Sequence, residues 1–107
     1  LMQLDASALE RFLASHPGAR MIDLREHYEF IAGPPPSCGV PVHNIPVSEL
    51  ASHIPAWLAG DQQPLILYCG SGARSARVAR CLHRLGYRNA WQLSGGIALG
   101  GSLLAAA

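Results

Sequence analysis

Lysine is absent from this 107-residue chain, acidic residues stop at Asp61, and only 14% of the residues carry a formal charge. Every cation is therefore an arginine, whose planar fork suits two-point contact with oxyanions. The seven acids are Asp5, Glu10, Asp23, Glu26, Glu29, Glu49 and Asp61; beyond them the only formal charges are Arg74, Arg77, Arg80, Arg84 and Arg88. That asymmetry gives the C-terminal part a positive field, which favours a small anion over a cation. Arg77, Arg80 and Arg84 are read as a solvated helix face, and no nucleic-acid partner is expected. Cysteine is also scarce. Cys38, Cys69 and Cys81 make an odd number with no CxxC pair, which argues against a disulfide scaffold and a zinc knuckle. The five histidines show no ligand spacing and read as surface or loop residues, so no metal and no cofactor is expected.

No apolar run is long enough to cross a bilayer, which takes roughly 20 residues. The uncharged stretch from Ile97 to Ala107 reads as a terminal packing helix, or else as the truncated start of a membrane segment. Membrane attachment is expected only through such a missing extension. No secretory signal pattern opens the chain, which starts at Leu1 as a piece cut from a longer protein would. A working thiol makes a reducing compartment, the cytoplasm, its natural home. Half the residues are hydrophobic, so disorder is excluded and one domain over 1–107 is expected, with a core of about 4–97 and a tail of 98–107.

Short apolar runs alternate with helical periods, the pattern of an α/β domain with a largely parallel sheet. Asp5 or Ser7 can cap a helix carrying Leu9, Phe12 and Leu13, which stops before Pro17-Gly18. Residues 20–24 read as a buried strand and 26–31 as a short helix ended by Gly33 and three prolines. The stretch 33–46 has a loop composition with residues 42–45 extended, and 48–58 reads as helical turns interrupted near Pro55. Leu65-Ile66-Leu67-Tyr68 is the clearest strand. A helix starting near Arg74 follows, with Val78, Cys81, Leu82 and Leu85 as its apolar stripe and Gly86 as its stop. A last strand spans 90–93. On this reading Cys81 is inert packing and Cys38, in the proline-rich loop, is incidental.

The segment that carries chemistry is Cys69-Gly70-Ser71-Gly72-Ala73-Arg74-Ser75, between the clearest strand and the clearest helix. The carboxyl end of a central parallel strand is where α/β sheets place their ligands. Two glycines let successive amides converge on one point, and the helix aims its positive end there. Such a cradle stabilises a thiolate or a terminal persulfide sulfur and lowers the pKa of Cys69, making it a nucleophile. Ser71 and Ser75 add hydroxyl donors, and Ser75 can cap the helix. Arg74 either orients an anionic donor or points away and locks the loop. Cysteine-dependent phosphatases place five residues between cysteine and arginine; here only four intervene, and the smaller ring suits a single sulfur.

These residues resemble the rhodanese family. The loop is similar to that family's C-x-x-G-x-R-S version. Gly86-Tyr87-Arg88-Asn89-Ala90-Trp91-Gln92-Leu93-Ser94-Gly95-Gly96 resembles G-Y-x-x-V-x-x-L-x-G-G, and Ile22-Asp23-Leu24-Arg25-Glu26 resembles I-D-V-R-E. Asn44-Ile45-Pro46 and Glu49-Leu50 fall where the family has N-I-P and E-L, so the likeness covers about residues 4–97. It implies a small five-stranded, mainly parallel sheet with helices on both faces. It also implies a sulfurtransferase that moves sulfane sulfur through a Cys69 persulfide, from a small anionic donor such as thiosulfate, a persulfide or a polysulfide to a thiol or protein acceptor. Asp23 and Arg25 then hold structure near the site as an ion pair. Two departures stand out: residues 34–43 run about four longer than the family pattern and lack its histidine, and the usual tryptophan-containing tail is absent. The rivals are a docking or sensing module inside a larger protein and, further off, a phosphatase.

Overall fold

The computed structural model describes residues 2–33 and 40–94. Cys38, the prolines before it and the apolar C-terminal tail lie outside the described residues. Five strands form one sheet in the order β1-β5-β4-β2-β3, every pairing parallel: β1 (Gln3–Leu4), β2 (Arg20–Asp23), β3 (Val42–Asn44), β4 (Leu65–Tyr68) and β5 (Ala90–Leu93). The helices are α1 (Ala6–Ser15), α2 (His27–Ala32), α3 (Ile54–Ala59) and α4 (Ala73–Leu85), with a 3₁₀ segment at Val47–Ser52.

Strand β4 lies at the centre, in register with β2 through Arg20↔Leu65 to Asp23↔Tyr68. All four of its residues are buried, the expected condition of a parallel strand covered on both faces. The pleat divides them. Leu65 and Leu67 join Ile22, Leu24, Trp57, Val78, Ala79 and Leu82 in the core under α3 and α4, whereas Ile66 and Tyr68 join Met21, Leu9 and Leu13 under α1. Cys69 continues the alternation of Leu65 and Leu67 and so points to the α4 side.

Local chemistry explains most boundaries. Asp5, the earlier of the two cap candidates, accepts a hydrogen bond from the Ala8 amide at 2.9 Å. Pro55 stands in the first turn of α3, where its missing N–H costs no hydrogen bond, so it begins a helix rather than interrupting one. Gly86 takes a φ of 103° and ends α4 in a Schellman arrangement, with its N–H donating to the His83 carbonyl and that of Tyr87 to the Leu82 carbonyl.

Three expectations need correction. Cys81 is exposed, not packed, because the stripe α4 buries is Ser75, Val78, Ala79 and Leu82. Small Ser75 and Ala79 let the helix approach the sheet, and that rotates Cys81 and Leu85 outward. Strand β1 is absent from the sequence reading: two residues carry no periodicity, and it exists only by pairing with β5 (Gln3↔Gln92, Leu4↔Leu93). Ser75 does not cap α4, whose first flanking residue is Gly72.

Candidate active site

The site forms where β4 ends and α4 begins. Gly72 has a φ of 102°, a left-handed conformation that glycine adopts at little cost. That turn sends its N–H back to Cys69 Sγ at 3.1 Å, while its carbonyl faces the new helix. Three donors hold that carbonyl: the Ala76 amide at 3.0 Å, the Ser75 hydroxyl at 3.0 Å and the Gln92 side-chain amide of β5 at 3.4 Å. The loop is thus fixed from the helix and from the neighbouring strand. Gln92 was not singled out from the sequence, since only the β4–β5 register brings it there.

Cys69 is fully buried. Burial alone pushes a thiol pKa up. Here the Ser75 amide, the Ser75 hydroxyl and the Gly72 and Arg74 amides outweigh it, and the net shift is downward. The start of a 13-residue helix adds its dipole in the same sense. Ser75 Oγ lies 3.7 Å from Sγ. In the thiol form the S–H donates to Ser75 Oγ while that hydroxyl donates to Gly72; when the sulfur ionises, the hydroxyl can rotate to donate to it. Ser75 is therefore a buried donor beside the sulfur. Gly70 and Ser71 bring no charge and leave the outer side of the loop open, Ser71 being exposed.

Asp23 and Arg25 form the ion pair the sequence suggested. Arg25 Nη2 donates to Asp23 Oδ2 at 2.9 Å, Nε donates to both carboxylate oxygens at 3.1 and 3.2 Å, and the Arg25 amide donates to Oδ1 at 3.0 Å. Arg25 Nη2 also donates to the Gly33 carbonyl at 2.8 Å, tying β2 to the far end of α2. The side-chain hydrogen bond to Asp23 is the main reason the guanidinium pKa rises. The pair connects towards the loop only through α2, where Arg25 Nη1 lies 3.5 Å from the Glu29 carbonyl.

Arg74 locks the loop, as one of its two expected courses has it, yet it does not point away, because its guanidinium also interacts with Cys69. Its guanidinium turns to Glu29 of α2, Nη1 to Oε1 at 2.9 Å and Nη2 to Oε2 at 3.2 Å. Glu29 Oε1 also accepts the Glu26 amide at 2.9 Å, closing a capping box at the start of α2. The Arg74 fork, then the Glu26 amide, hold the Glu29 carboxyl at about 2, well below its usual range. Sequence reasoning passed over Glu29, although Glu26-x-x-Glu29 is a visible capping-box pattern; its partner lies 45 positions away. Next to this pair His27 bridges Asn44 Oδ1 (2.7 Å) and Glu49 Oε2 (2.6 Å), and Asn44 Nδ2 donates to the Asp23 and Arg25 carbonyls (3.1 and 2.9 Å). The N-I-P and E-L motifs therefore meet at one strap that fastens α2 to the sheet.

A family model described as the rhodanese-like domain matches residues 5–99. A sulfurtransferase from Allochromatium vinosum is 31% identical over 96 residues, covering 89% of this chain and 83% of that protein. A human single-domain sulfurtransferase has a similar solved structure, with a TM-score of 0.70 and 28% identity over 90% of this chain and 91% of that one. A rhodanese-related protein from Thermoplasma volcanium superposes with a TM-score of 0.70 and 28% identity, covering 94% and 90% of the two chains.

Proposed function

The chain belongs to the rhodanese-like domain family, a family of sulfurtransferases, and from that membership we propose that it carries sulfane sulfur as a persulfide on Cys69. The single observation behind this reading is the convergence of the Gly72, Arg74 and Ser75 amides on one buried sulfur whose pKa is lowered. In the first half-reaction the Cys69 thiolate attacks the outer sulfur of a small anionic donor, thiosulfate, a persulfide or a polysulfide. The donor's S–S bond breaks, its electron pair leaves with the remainder, and a new S–S bond forms at Sγ. In the second, a thiol or protein acceptor attacks the terminal sulfur, and the electron pair of that bond returns to Sγ. Gly70, Ser71, Gly72, Ala73, Arg74 and Ser75 form the cradle throughout, and no cofactor enters.

Such a thiol calls for a reducing compartment such as the cytoplasm. No helix among the described residues is long and apolar enough to cross a membrane. One domain over 1–107 accounts for these parts. The direct test is incubation with thiosulfate or a persulfide, followed by intact-mass measurement and thiocyanate formation from cyanide. The wild type gains one sulfur and turns over. Cys69→Ser abolishes both signals, and Cys81→Ser, altering an exposed thiol on α4, abolishes neither. Failure of the wild type to gain sulfur from any donor refutes the proposal and leaves a docking or sensing module.

A further inference from the structure

Arg74 is the only charged residue between Cys69 and Ser75, so it decides how the loop receives charge. Its guanidinium lies over Gly70: a Cβ placed on Gly70 would stand 3.7 Å from Nη2. Both terminal nitrogens are engaged by the two Glu29 oxygens in a parallel fork, the strongest geometry available to this pair. The carboxylate is held in turn. Oε1 also accepts the Glu26 amide, and Arg25 Nη1 lies 3.5 Å from the Glu29 carbonyl. Arg25 is itself consumed by Asp23 and the Gly33 carbonyl. The two guanidinium groups in the site walls are thus each matched by a carboxylate, and Glu26 stands beside them as a further acid. Arg77, Arg80 and Arg84 point to solvent further along α4.

The charge carried by the donor then matters. With thiosulfate, attack breaks the S–S bond and sulfite departs with the electron pair. Three negative charges are gathered through the step: two on sulfite, one on the new persulfide. With a hydropersulfide R–S–SH the same bond breaks and RS⁻ departs with the pair, so Cys69–S⁻ and R–S–SH become Cys69–S–SH and RS⁻; with the new persulfide ionised as in the thiosulfate step, two negative charges are gathered against three. Resting on the sulfur-transfer reading above, we infer that Glu29 is a specificity-determining residue. By pairing with Arg74 it offsets most of the charge of a cation that also stands beside Cys69, so a dianionic donor meets a nearly neutral loop and the persulfide class is favoured over thiosulfate.

The experiment compares kcat/KM for thiosulfate with that for hydroxyethyl persulfide, whose R group is uncharged, at low and high salt. Glu29→Gln removes the charge and keeps the capping box, which accepts glutamine equally. The Arg74 and Glu29 side chains are 35% and 28% exposed, so solvent screens the freed charge. The thiosulfate-to-persulfide ratio is therefore expected to rise about three- to tenfold, on Coulomb energies for partly exposed charges a few ångströms apart. The gain shrinks at high salt, as an unpaired surface cation requires. Glu29→Asp retains the charge one methylene further from Arg74, so the ratio is expected to rise less than in Glu29→Gln. An unchanged or falling ratio in Glu29→Gln overturns the inference, and so does an equal rise in Glu29→Asp, which would assign the effect to a loosened loop. The wild type needs no variant for its own arm. Its thiosulfate rate is expected to vary only weakly with salt, and a steep decline would reveal a free cation serving the donor. If neither donor loads Cys69, the sulfur-transfer reading fails. If both load and the ratio stays fixed across the series, only the role of Glu29 fails.

Discussion

Two glycines at opposite ends of α4 separate the backbone requirement of the fold from that of the chemistry. Gly72 has a φ of 102° and Gly86 one of 103°, so alanine meets nearly the same conformational penalty at either position. That penalty is about 1–3 kcal/mol for a non-glycine residue forced into this region. For a domain of this size each kcal/mol lowers Tm by roughly 4–8 °C. Gly86→Ala should show that loss alone, since nothing lies within 4 Å of the added Cβ. Gly72→Ala should show a similar loss and a second effect, because Gly72, unlike Gly86, aims its N–H at Cys69 Sγ. A hydrogen bond to a charged group contributes about 1.5–3 kcal/mol, so misaiming it slows sulfur loading near neutral pH by about tenfold or more. The assay is single-turnover loading from a persulfide, followed by mass at a temperature where both variants are folded. Circular dichroism melts supply the stability values. Equal loading rates in the two variants would refute the idea that the left-handed turn exists to aim that amide.

Three further outcomes follow from the same geometry. The Cys69 pKa is lowered, so loading should rise with pH through a midpoint below the ordinary thiol range. Ser75→Ala removes one of the groups that lower it and should move the rise to higher pH, as read by thiolate absorbance; an unmoved curve would remove Ser75 from the site's electrostatics. Asp23→Asn strands the Arg25 guanidinium, whose side chain is only 9% exposed. Breaking a buried pair this way costs about 3–5 kcal/mol, to be checked by urea unfolding, and a loss below about 1 kcal/mol would contradict the pair's structural role. The folded-state pKa of Glu29 is depressed from 4.5 to about 2, so its contribution to stability is present above 4.5 and is lost as pH falls towards 2. Glu29→Gln should flatten the Tm profile across that acid range, and a profile parallel to wild type would sink the assignment.

The sequence by itself determined the α/β class, the central strand β4, the long helix α4 and the loop from Cys69 to Ser75. Those features depend on residues close together in the chain: a continuous apolar run, a helical period, glycines at a turn. It also carried Asp23 and Arg25 as a pair, since two residues of separation bring them together at a strand end. The tertiary structure alone decided the rest. Gln92 reaches the Gly72 carbonyl through the β4–β5 register, Cys81 turns outward because α4 seats Ser75 and Ala79 against the sheet, and β1 exists only through its partner strand. Above all, the direction of Arg74 is set by Glu29, 45 positions earlier and on another helix. A side chain with several rotatable bonds has no preferred direction until a partner fixes one, and the sequence does not say which distant carboxylate that will be.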